Sequence, residues 1–280
     1  MINILSTLGE LETFRKSNLE VGFVPTMGNL HPGHISLVEK ALCENPVVVV
    51  SIFVNPKQFG EIEDLINYPR TLESDTALLQ EALDKHPDKK LYIFSPSDEL
   101  VIYPSNFNDF IKVDSLNSMS EGKIRPDHFD GVATVVKRLF KLISPTRAYF
   151  GKKDYQQFLV VKELIKQEKM NIEIIGMPII REKDGLAMSS RNSRLNSEQR
   201  VESLMLSKSL LEILFQIQTN GFESAKKLIR TKLEDKRFNY LEIRNSNTFE
   251  LAQKQDTQIT ILGNFQLGQT RLLDNIEVEL

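Results

Sequence analysis

Hydrophobic and polar positions alternate between strand-like and helix-like patterns up to about residue 176. The run at 47–54 is apolar on both faces and rich in β-branched residues, which is typical of a strand buried in a parallel sheet. Other strand-like runs lie at 21–24, 91–94, 148–150 and 172–176. Helical spacing covers 35–42, 71–85, 132–143 and 154–169. Strands that alternate with helices predict a doubly wound parallel α/β domain, which binds ligands beyond the carboxyl ends of its strands.

The pattern changes after about residue 176. Two stretches with helical spacing, 196–218 and 223–234, follow one another. Three shorter segments then alternate polar and apolar residues, as strands with one solvent-facing side do: 240–243, 257–262 and 276–280. We therefore predict a larger α/β domain over 1–176 and a smaller α+β domain over 177–280.

Composition narrows the class of protein. The chain has 280 residues, of which 41% are hydrophobic, enough for a sizeable core. Its formal net charge of −3 gives no basic excess, so we expect no nucleic-acid partner, although a local positive pocket for a small anion is compatible with it. Cys43 is the only cysteine, which excludes an internal disulfide and a thiolate metal cluster.

Targeting signals do not change this picture. The first six residues lack a basic segment followed by a long apolar run, so we expect no signal peptide. No apolar stretch approaches the roughly 20 residues that a membrane-spanning helix needs. We therefore expect a cytoplasmic protein that has no membrane partner.

The strongest chemical signal is the run Pro-Thr-Met-Gly-Asn-Leu-His-Pro-Gly-His at 25–34, between a predicted strand and a predicted helix. A helix start offers free backbone N–H groups and the positive end of the helix dipole, which favour an anion. His31 and His34 add side-chain donors, while Gly28 and Gly33 let the backbone approach a ligand closely. This run predicts a phosphate site and hence a nucleotide ligand.

Four further polar segments carry candidate chemistry: 53–60, 121–129, 151–157 and 184–192. Asn55 and Gln58 follow the buried strand, and their amides suit a hydroxylated ligand that also has a carboxylate. Residues 121–129 read as a polar loop before a helix. Lys152 and Lys153 lie in a strand-to-helix turn where a phosphate fits, and Arg191 follows two serines with a fork suited to phosphate oxygens.

Each segment taken alone also has a plainer interpretation. His31 and His34 can cap or line a loop, or can bind zinc with His128 as a third ligand. Asn55 and Gln58 can be hydrogen-bonding residues at a strand exit, the lysines can be solvated, and 189–192 can form a turn or a helix cap. The missing Gly-x4-Gly-Lys-Ser/Thr and Gly-x-Gly-x2-Gly runs disfavour a P-loop enzyme and weaken the case for a dinucleotide dehydrogenase.

Taken together and in order, these segments closely resemble the pantoate–β-alanine ligase (pantothenate synthetase) family of the adenylate-forming nucleotidyltransferase superfamily, whose core is Rossmann-like. The resemblance covers essentially the whole chain. Its motifs are PTMGNLHPGH at 25–34, FVNPKQFG at 53–60, YPRT at 68–71, EGxxRPxHF at 121–129, KDYQQ at 153–157 and DGLAMSSRN at 184–192. The His-x-Gly-His and Met-Ser-Ser-Arg runs resemble the two phosphate-binding signatures of the superfamily.

The resemblance implies a two-step reaction. The carboxylate of pantoate attacks the α-phosphate of ATP to give pantoyl adenylate and pyrophosphate, and the amine of β-alanine then displaces AMP to give pantothenate. It implies Mg²⁺ with the ATP phosphates, held largely by phosphate oxygens and by no protein side chain that we can name. It also implies a homodimer, and a C-terminal domain that acts as a lid.

The same resemblance assigns the site residues. It makes His31, His34, Lys153 and Arg191 catalytic, with His34 as a proton donor. It assigns ATP contacts to Met27, Gly28, Asn29, Leu30, His31, Pro32, Gly33, His34, Gly151, Lys152, Lys153, Asp154, Ile180, Met188, Ser189, Ser190 and Arg191. It assigns pantoate contacts to Met27, Asn55, Gln58 and Gln157, with Gln58 also near β-alanine.

Three positions depart from the family pattern. Lys152 stands where glutamate is usual, Asp127 where glycine is frequent, and Pro32 where an acidic residue is common. Two alternatives remain at this point. A nucleotidyltransferase that acts on a phosphorylated substrate would need a cationic acceptor pocket rather than Gln58 and Gln157. A catalytically silent nucleotide-binding protein would not need to retain its histidines, Lys153 and the serine–arginine run.

Overall fold

The computed structural model describes residues 2–60 and 62–280. The chain divides into two compact units, one up to Pro178 and one from Ile179 to Leu280. Among the described residues, no helix has the length and apolar character needed to cross a membrane.

The first unit is built on a six-stranded sheet whose paired strands all run parallel. The strands are β1 (Asn3–Leu5), β2 (Val21–Thr26), β3 (Val47–Ile52), β4 (Lys90–Phe94), β5 (Arg147–Gly151) and β6 (Glu173–Met177). Their order across the sheet is β1-β4-β3-β2-β5-β6. The predicted doubly wound, Rossmann-like class is therefore confirmed.

Helices connect the strands of this sheet. They are α1 (Leu8–Ser17), α2 (Pro32–Glu44), α3 (Ile62–Ile66), α4 (Leu72–Asp84), α5 (Glu99–Ile102), α6 (Asp114–Asn117), α7 (Ser120–Ile124), α8 (His128–Ile143) and α9 (Tyr155–Gln167). The prediction of a polar loop over 121–129 is wrong in part, because α7 and the first turn of α8 occupy most of it. β1 and α1 were not predicted.

The core of the first unit follows from the β-branched run of β3. Val48 and Val50 have no exposed surface and pack with Val38 and Leu42 of α2 and Leu79 of α4. Removing these side chains from water is worth about 1.5–3 kcal/mol for each. This packing fixes the position of α2 against the sheet.

The strand order places a topological switch point between β2 and β5. The chain leaves β2 toward β3 on one side, whereas β5 pairs with β2 on the other side. The parallel register sets Phe23 beside Ala148, so the carboxyl ends at Thr26 and Gly151 lie next to each other. Open α/β sheets bind ligands at such a crevice.

The second unit is a smaller α+β fold. It contains α10 (Ser197–Glu202), α11 (Leu204–Asn220), α12 (Phe222–Lys232) and an antiparallel sheet of β7 (Phe238–Asn245), β8 (Gln258–Leu267) and β9 (Thr270–Glu279). The prediction of one helix over 196–218 is wrong, because Ser203 separates α10 from α11. The Ser203 hydroxyl donates to the carbonyl of Arg200 at 2.6 Å, while its N–H donates to the carbonyl of Gln199 at 2.8 Å.

Candidate functional site

The histidine run forms the turn between β2 and α2. His31 caps α2, and its Nδ1 accepts the backbone N–H of Gly33 at 3.1 Å. The Nδ1 of His34 accepts the backbone N–H of His31 at 3.3 Å. Pro32 occupies the first helical position, where its missing N–H has no cost. The two rings therefore lie side by side, with centroids 4.0 Å apart.

These contacts define the protonation state of both rings. A backbone N–H only donates, so each Nδ1 is an acceptor, and a neutral ring then carries its proton on Nε2. Burial, with the positive charge of Lys153 adding to it, lowers the pKa of His31 to about 4. Burial also lowers the pKa of His34 to about 3, with the neighbouring His31 as the next cause. Near neutral pH both residues are thus uncharged Nε2–H donors.

The backbone amides of this turn are already bonded inside the protein. The N–H of Gly28 donates to the Thr26 hydroxyl at 3.1 Å. The N–H groups of Asn29 and Leu30 donate to the carboxylate of Asp75 at 2.9 and 2.8 Å. At the start of α2 itself, the N–H of Gly33 donates to His31 Nδ1 at 3.1 Å and the N–H of His34 donates to the His31 carbonyl at 2.8 Å. The expectation that this helix start offers free backbone N–H groups to an anion is therefore not met in this conformation. The imidazoles are the donors that the turn presents.

Asn55 and Gln58 lie just past the end of β3, but the structure gives them different environments. Asn55 is 1% exposed. Its Nδ2 donates to Gln58 Oε1 at 3.0 Å and to the carbonyl of Gly131 at 3.1 Å. Its Oδ1 accepts the hydroxyl of Tyr103 at 2.8 Å and the backbone N–H of Lys57 at 3.3 Å. Asn55 thus uses its hydrogen-bonding capacity within the protein.

The Gln58 amide has one end held by the protein. Its Oε1 accepts from Asn55, while its Nε2 contacts the Sδ of Met27 at 3.1 Å. Met27 belongs to the histidine turn, so this contact links the turn after β2 to the turn after β3. A sulfur is a weak acceptor, and the Nε2–H₂ group therefore keeps donor capacity for a ligand.

The segment 125–131 supports the backbone of Gln58. The Gln58 carbonyl lies 2.8 Å from His128 Nδ1, which donates to it, and Arg125 donates to His128 Nε2 at 2.8 Å. At Gly131, a Cβ would lie 2.2 Å from the carbonyl oxygen of Lys57, so α8 packs directly on the turn at 56–58. The hypothesis that His128 is a third zinc ligand finds no support in this geometry.

One family departure has a backbone explanation. Asp127 precedes α8 with φ of 61°, in the left-handed region that favours glycine. Its side chain is 83% exposed and lies 3.7 Å from Lys112. Aspartate tolerates this conformation better than most residues, so α8 still begins at His128.

The turn after β5 brings a cation to the histidines. Lys153 lies close enough to both rings to influence the pKa of each. Its Nζ lies 3.3 Å from Asp154 Oδ1. Gln157 follows in the first turn of α9, half-buried. Gly151 ends β5 next to the end of β2, so this turn and the histidine turn share the carboxyl edge of the sheet.

The remaining predicted residues lie in the second unit. The Ile180 carbonyl accepts the N–H of Met188 at 2.9 Å, and the Ser189 hydroxyl accepts the N–H of Arg191 at 3.3 Å. Arg181 ties this segment to β9 through two contacts with Asp274, at 2.7 and 2.8 Å. Ile180 and the Met188–Arg191 run are therefore held together on one local structure.

Sequence reasoning missed several residues of these networks, among them Asp75, Tyr103, Arg181 and Asp274. Asp75 lies in the segment just after the YPRT run at 68–71. That run was the only signal in the sequence that could have pointed to Asp75. Tyr103 and Arg181 carry no local signal. Among residues 2–60 and 62–280, no three His, Cys, Asp or Glu side chains are grouped as a metal site.

A doubly wound α/β sheet with paired neutral imidazoles and a lysine at its switch point defines a nucleotide-handling enzyme class. Comparison with known families gives the particular assignment. The model of the pantoate-beta-alanine ligase family matches residues 3–277, and the chain belongs to this family.

Individual relatives agree with this assignment. Pantothenate synthetase of Thermosipho africanus is 41% identical over 285 aligned residues, covering 98% of this chain and 99% of the relative. The crystal structure of the Thermus thermophilus enzyme has 41% identity and a TM-score of 0.89, with full coverage of both chains. Pantoate-beta-alanine ligase from Francisella tularensis, solved with beta-gamma ATP and beta-alanine, has 34% identity and a TM-score of 0.75 over 99% of this chain and 97% of that one.

Proposed function

We propose that this protein catalyses the ATP-dependent condensation of pantoate with β-alanine, releasing pantothenate, AMP and pyrophosphate. Family membership supports the reaction, and the Francisella tularensis complex supports ATP and β-alanine as ligands. The observation that carries the proposal is the pair of neutral imidazoles, each with Nδ1 bonded as an acceptor and its proton on Nε2, at the carboxyl ends of the central strands.

In the first step the pantoate carboxylate attacks the α-phosphorus of ATP, and the bond to the pyrophosphate oxygen breaks. A carboxylate is already ionised, so this step needs alignment and charge stabilisation rather than a base. His31 and His34 hydrogen-bond to phosphate oxygens through Nε2–H. Because burial lowers the pKa of His34 to about 3, we propose that it acts as a hydrogen-bond donor, while the proton-donor role that the resemblance assigns stays a prediction. Lys153 neutralises the charge that develops on pyrophosphate.

The second unit supplies further phosphate contacts. Its Met188–Arg191 run offers the hydroxyls of Ser189 and Ser190 and the guanidinium of Arg191, a set suited to phosphate oxygens. In this proposal the unit acts as a lid, and Ile180 contacts the nucleotide. Mg²⁺ would accompany the ATP phosphates and would be held largely by their oxygens.

The acceptor side of the site binds pantoate and then β-alanine. Gln58 donates from Nε2 to pantoate, and Gln157 contacts it from α9. Met27 and Met188 pack on the two methyl groups of pantoate. Asn55 acts through Gln58 rather than as a ligand, since its polar atoms are bonded within the protein. The amine of β-alanine then attacks the pantoyl carbonyl, and AMP leaves.

Pyrophosphate release from ATP tests the function. We expect release that depends on pantoate and that becomes catalytic when β-alanine is added, with pantothenate and AMP in equal amounts. Absence of pantoate-dependent release would overturn the proposal. Release that requires a phosphorylated acceptor instead would identify a nucleotidyltransferase, and nucleotide binding without turnover would identify a silent binding protein. The homodimer expected from the family is tested by light scattering of the same preparation.

A further inference from the structure

A buried carboxylate holds the turn that carries the two histidines. Asp75 lies in α4 and is 1% exposed. Its Oδ2 accepts the N–H of Asn29 at 2.9 Å and the hydroxyl of Thr71 at 3.1 Å, and its Oδ1 accepts the N–H of Leu30 at 2.8 Å. Thr71 Oγ1 also accepts the N–H of Asn29, at 3.1 Å. These contacts join the start of α4 to the turn after β2.

The backbone of the turn is shaped around this carboxylate. Gly28 and Asn29 have φ of 80° and 52°, two successive left-handed residues. Such a conformation turns consecutive N–H groups toward one anion. A Cβ on Gly28 would lie 3.0 Å from Asp75 Oδ2 and 3.1 Å from Ile52 Cγ2, so the turn closes tightly over the carboxylate.

The held turn leads directly into the imidazole pair. Leu30, whose N–H is bound by Asp75, is followed by His31, whose own N–H donates to Nδ1 of His34. That single bond keeps Nδ1 of His34 unprotonated, so that the neutral ring carries its proton on Nε2. Any rotation of the peptide between Leu30 and His31 changes the direction of this N–H.

We propose that Asp75 is a positioning residue for adenylate formation: its carboxylate fixes residues 28–30 and thereby the N–H of His31, which sets the tautomer of His34 and the arrangement of the imidazole pair. The inference rests on the proposed function for the role of the histidines. Asp75 also occupies the backbone donors of the turn, so the phosphates of ATP are bound by imidazole Nε2–H groups and not by these amides. Asp75 itself does not contact substrate.

The test uses Asp75→Asn in the full chain, with Asp109→Asn as the matched control. Asp109 is also a carboxylate with several partners, but it contacts Lys137 and Lys141 rather than the turn. The asparagine side chain has the same size as aspartate. Its NH₂ group replaces one acceptor oxygen and would face a backbone N–H of the turn, to which it cannot hydrogen-bond. We expect kcat for pantoate-dependent pyrophosphate release to fall about 10- to 100-fold and the KM for ATP to rise, since misplacement of about 1 Å can cost on the order of 100-fold.

A second readout separates positioning from general loss of structure. Nitrogen NMR of isotope-labelled histidine reports the tautomer of each ring directly. In the parent protein and in Asp109→Asn we expect His31 and His34 to be protonated at Nε2 only, with unchanged kinetics. In Asp75→Asn we expect mixed tautomers and a raised KM for ATP, while the KM for β-alanine stays within about twofold.

The outcomes distinguish this inference from the proposed function. A folded Asp75→Asn protein with unchanged ATP kinetics and unchanged histidine spectra would overturn the role of Asp75. If that variant does not fold, Thr71→Val is used instead. It removes the hydroxyl shared by Asp75 and Asn29, and we expect changes of the same kind in the ATP kinetics and the histidine spectra, but smaller ones. Unchanged spectra and kinetics there would equally overturn it. If the parent protein lacks pantoate-dependent release, the function fails, whereas the tautomers and ATP affinity still report on Asp75.

Discussion

Asn55 Nδ2 donates a 3.0 Å hydrogen bond to Oε1 of Gln58, and this contact decides which end of the glutamine amide is available. The orientation of Asn55 is itself fixed, because its Nδ2 also donates to the Gly131 carbonyl, which can only accept. Tyr103 then bonds the opposite end of Asn55. The relay from Tyr103 to Asn55 to Gln58 therefore presents a donor, Nε2–H, to the acceptor site.

The first prediction concerns this relay. Tyr103→Phe removes one hydrogen bond from Asn55 but leaves the N–H of Lys57 on the same Oδ1, so the KM for pantoate is expected to rise only about two- to fivefold. Asn55→Ala removes the anchor of Gln58, which can then reverse its amide, and about 1–3 kcal/mol of binding is lost. Initial rates of pyrophosphate release at varied pantoate give both values. Equal increases in the KM values for ATP and for pantoate would contradict the proposal that Asn55 orients Gln58 toward pantoate.

The second prediction distinguishes a hydrogen-bond donor from an acid at His34. His34→Ala is expected to reduce adenylate formation by about 100- to 1,000-fold, the usual loss for one preorganised donor. Glutamine can place an N–H₂ near the position of Nε2 but cannot transfer a proton, so His34→Gln is expected to recover part of that loss. Circular dichroism confirms the fold of both variants. If His34→Gln is as inactive as His34→Ala, a proton-transfer role is favoured instead.

Much of the first unit was predictable because its signals are local. The β-branched run of β3, the helical spacing of α8 and the histidine run each depend on neighbouring residues only. The role of the turn amides was not predictable in this way. Their acceptor, Asp75, is 46 residues from Asn29 along the chain, and only the packing of α2 against α4 brings the two together.

The roles of site residues were harder to predict than their positions. Asn55 was correctly placed at a strand end, yet its burial and its bond to Tyr103 depend on a segment far along the chain. The break at Ser203 divides a predicted single helix at one residue. Apolar periodicity continues through such a break, so hydrophobic pattern alone did not reveal it.

The third prediction follows from the backbone at Asp127. Its left-handed φ of 61° costs a residue with a Cβ about 1 kcal/mol or more, and its exposed side chain makes only a long contact with Lys112. Glycine removes that strain but adds freedom to the unfolded chain. Asp127→Gly is therefore expected to raise the free energy of unfolding by about 0.5 kcal/mol, measured by urea denaturation. Destabilisation would show that the Lys112 contact outweighs the strain.

The fourth prediction concerns acid stability. The pKa values of His31 and His34 are about 4 and about 3 in the folded protein, against an ordinary value of 6.5. At a pH between the folded and the ordinary pKa, the unfolded chain binds more protons than the folded protein. The free energy of unfolding is therefore highest above the ordinary pKa and decreases as the pH falls toward the folded pKa values. Each histidine contributes up to about 1.4 kcal/mol per pH unit to this slope.

His31→Gln removes one of these titrating groups. Urea denaturation at about pH 7, 6 and 5 is expected to show a shallower loss of stability for this variant than for the parent protein. His86→Gln is the comparison variant, because its histidine lies outside the site, just past the end of α4. Parallel slopes for the parent and His31→Gln would show that His31 is not held neutral by burial.

The fifth prediction addresses the second unit. Arg181 donates to both oxygens of Asp274, whose side chain is only 3% exposed, and also to the carbonyl of Gly185 at 2.9 Å. The pair therefore ties the segment before the Met188–Arg191 run to β9. Asp274→Ala leaves the guanidinium without its carboxylate, and because Arg181 is partly exposed we expect a loss of about 1–3 kcal/mol rather than the larger cost of a fully buried pair.

The functional effect of Asp274→Ala should fall on the nucleotide. If the Met188–Arg191 run binds the phosphates of ATP, loosening its support raises the KM for ATP and leaves the KM for β-alanine unchanged, which initial-rate kinetics can resolve. Asp235→Ala is the matched control, since it breaks the ion pair with Arg237 elsewhere in the same unit. A variant that loses stability without any change in ATP kinetics would show that the anchored segment does not bind the nucleotide.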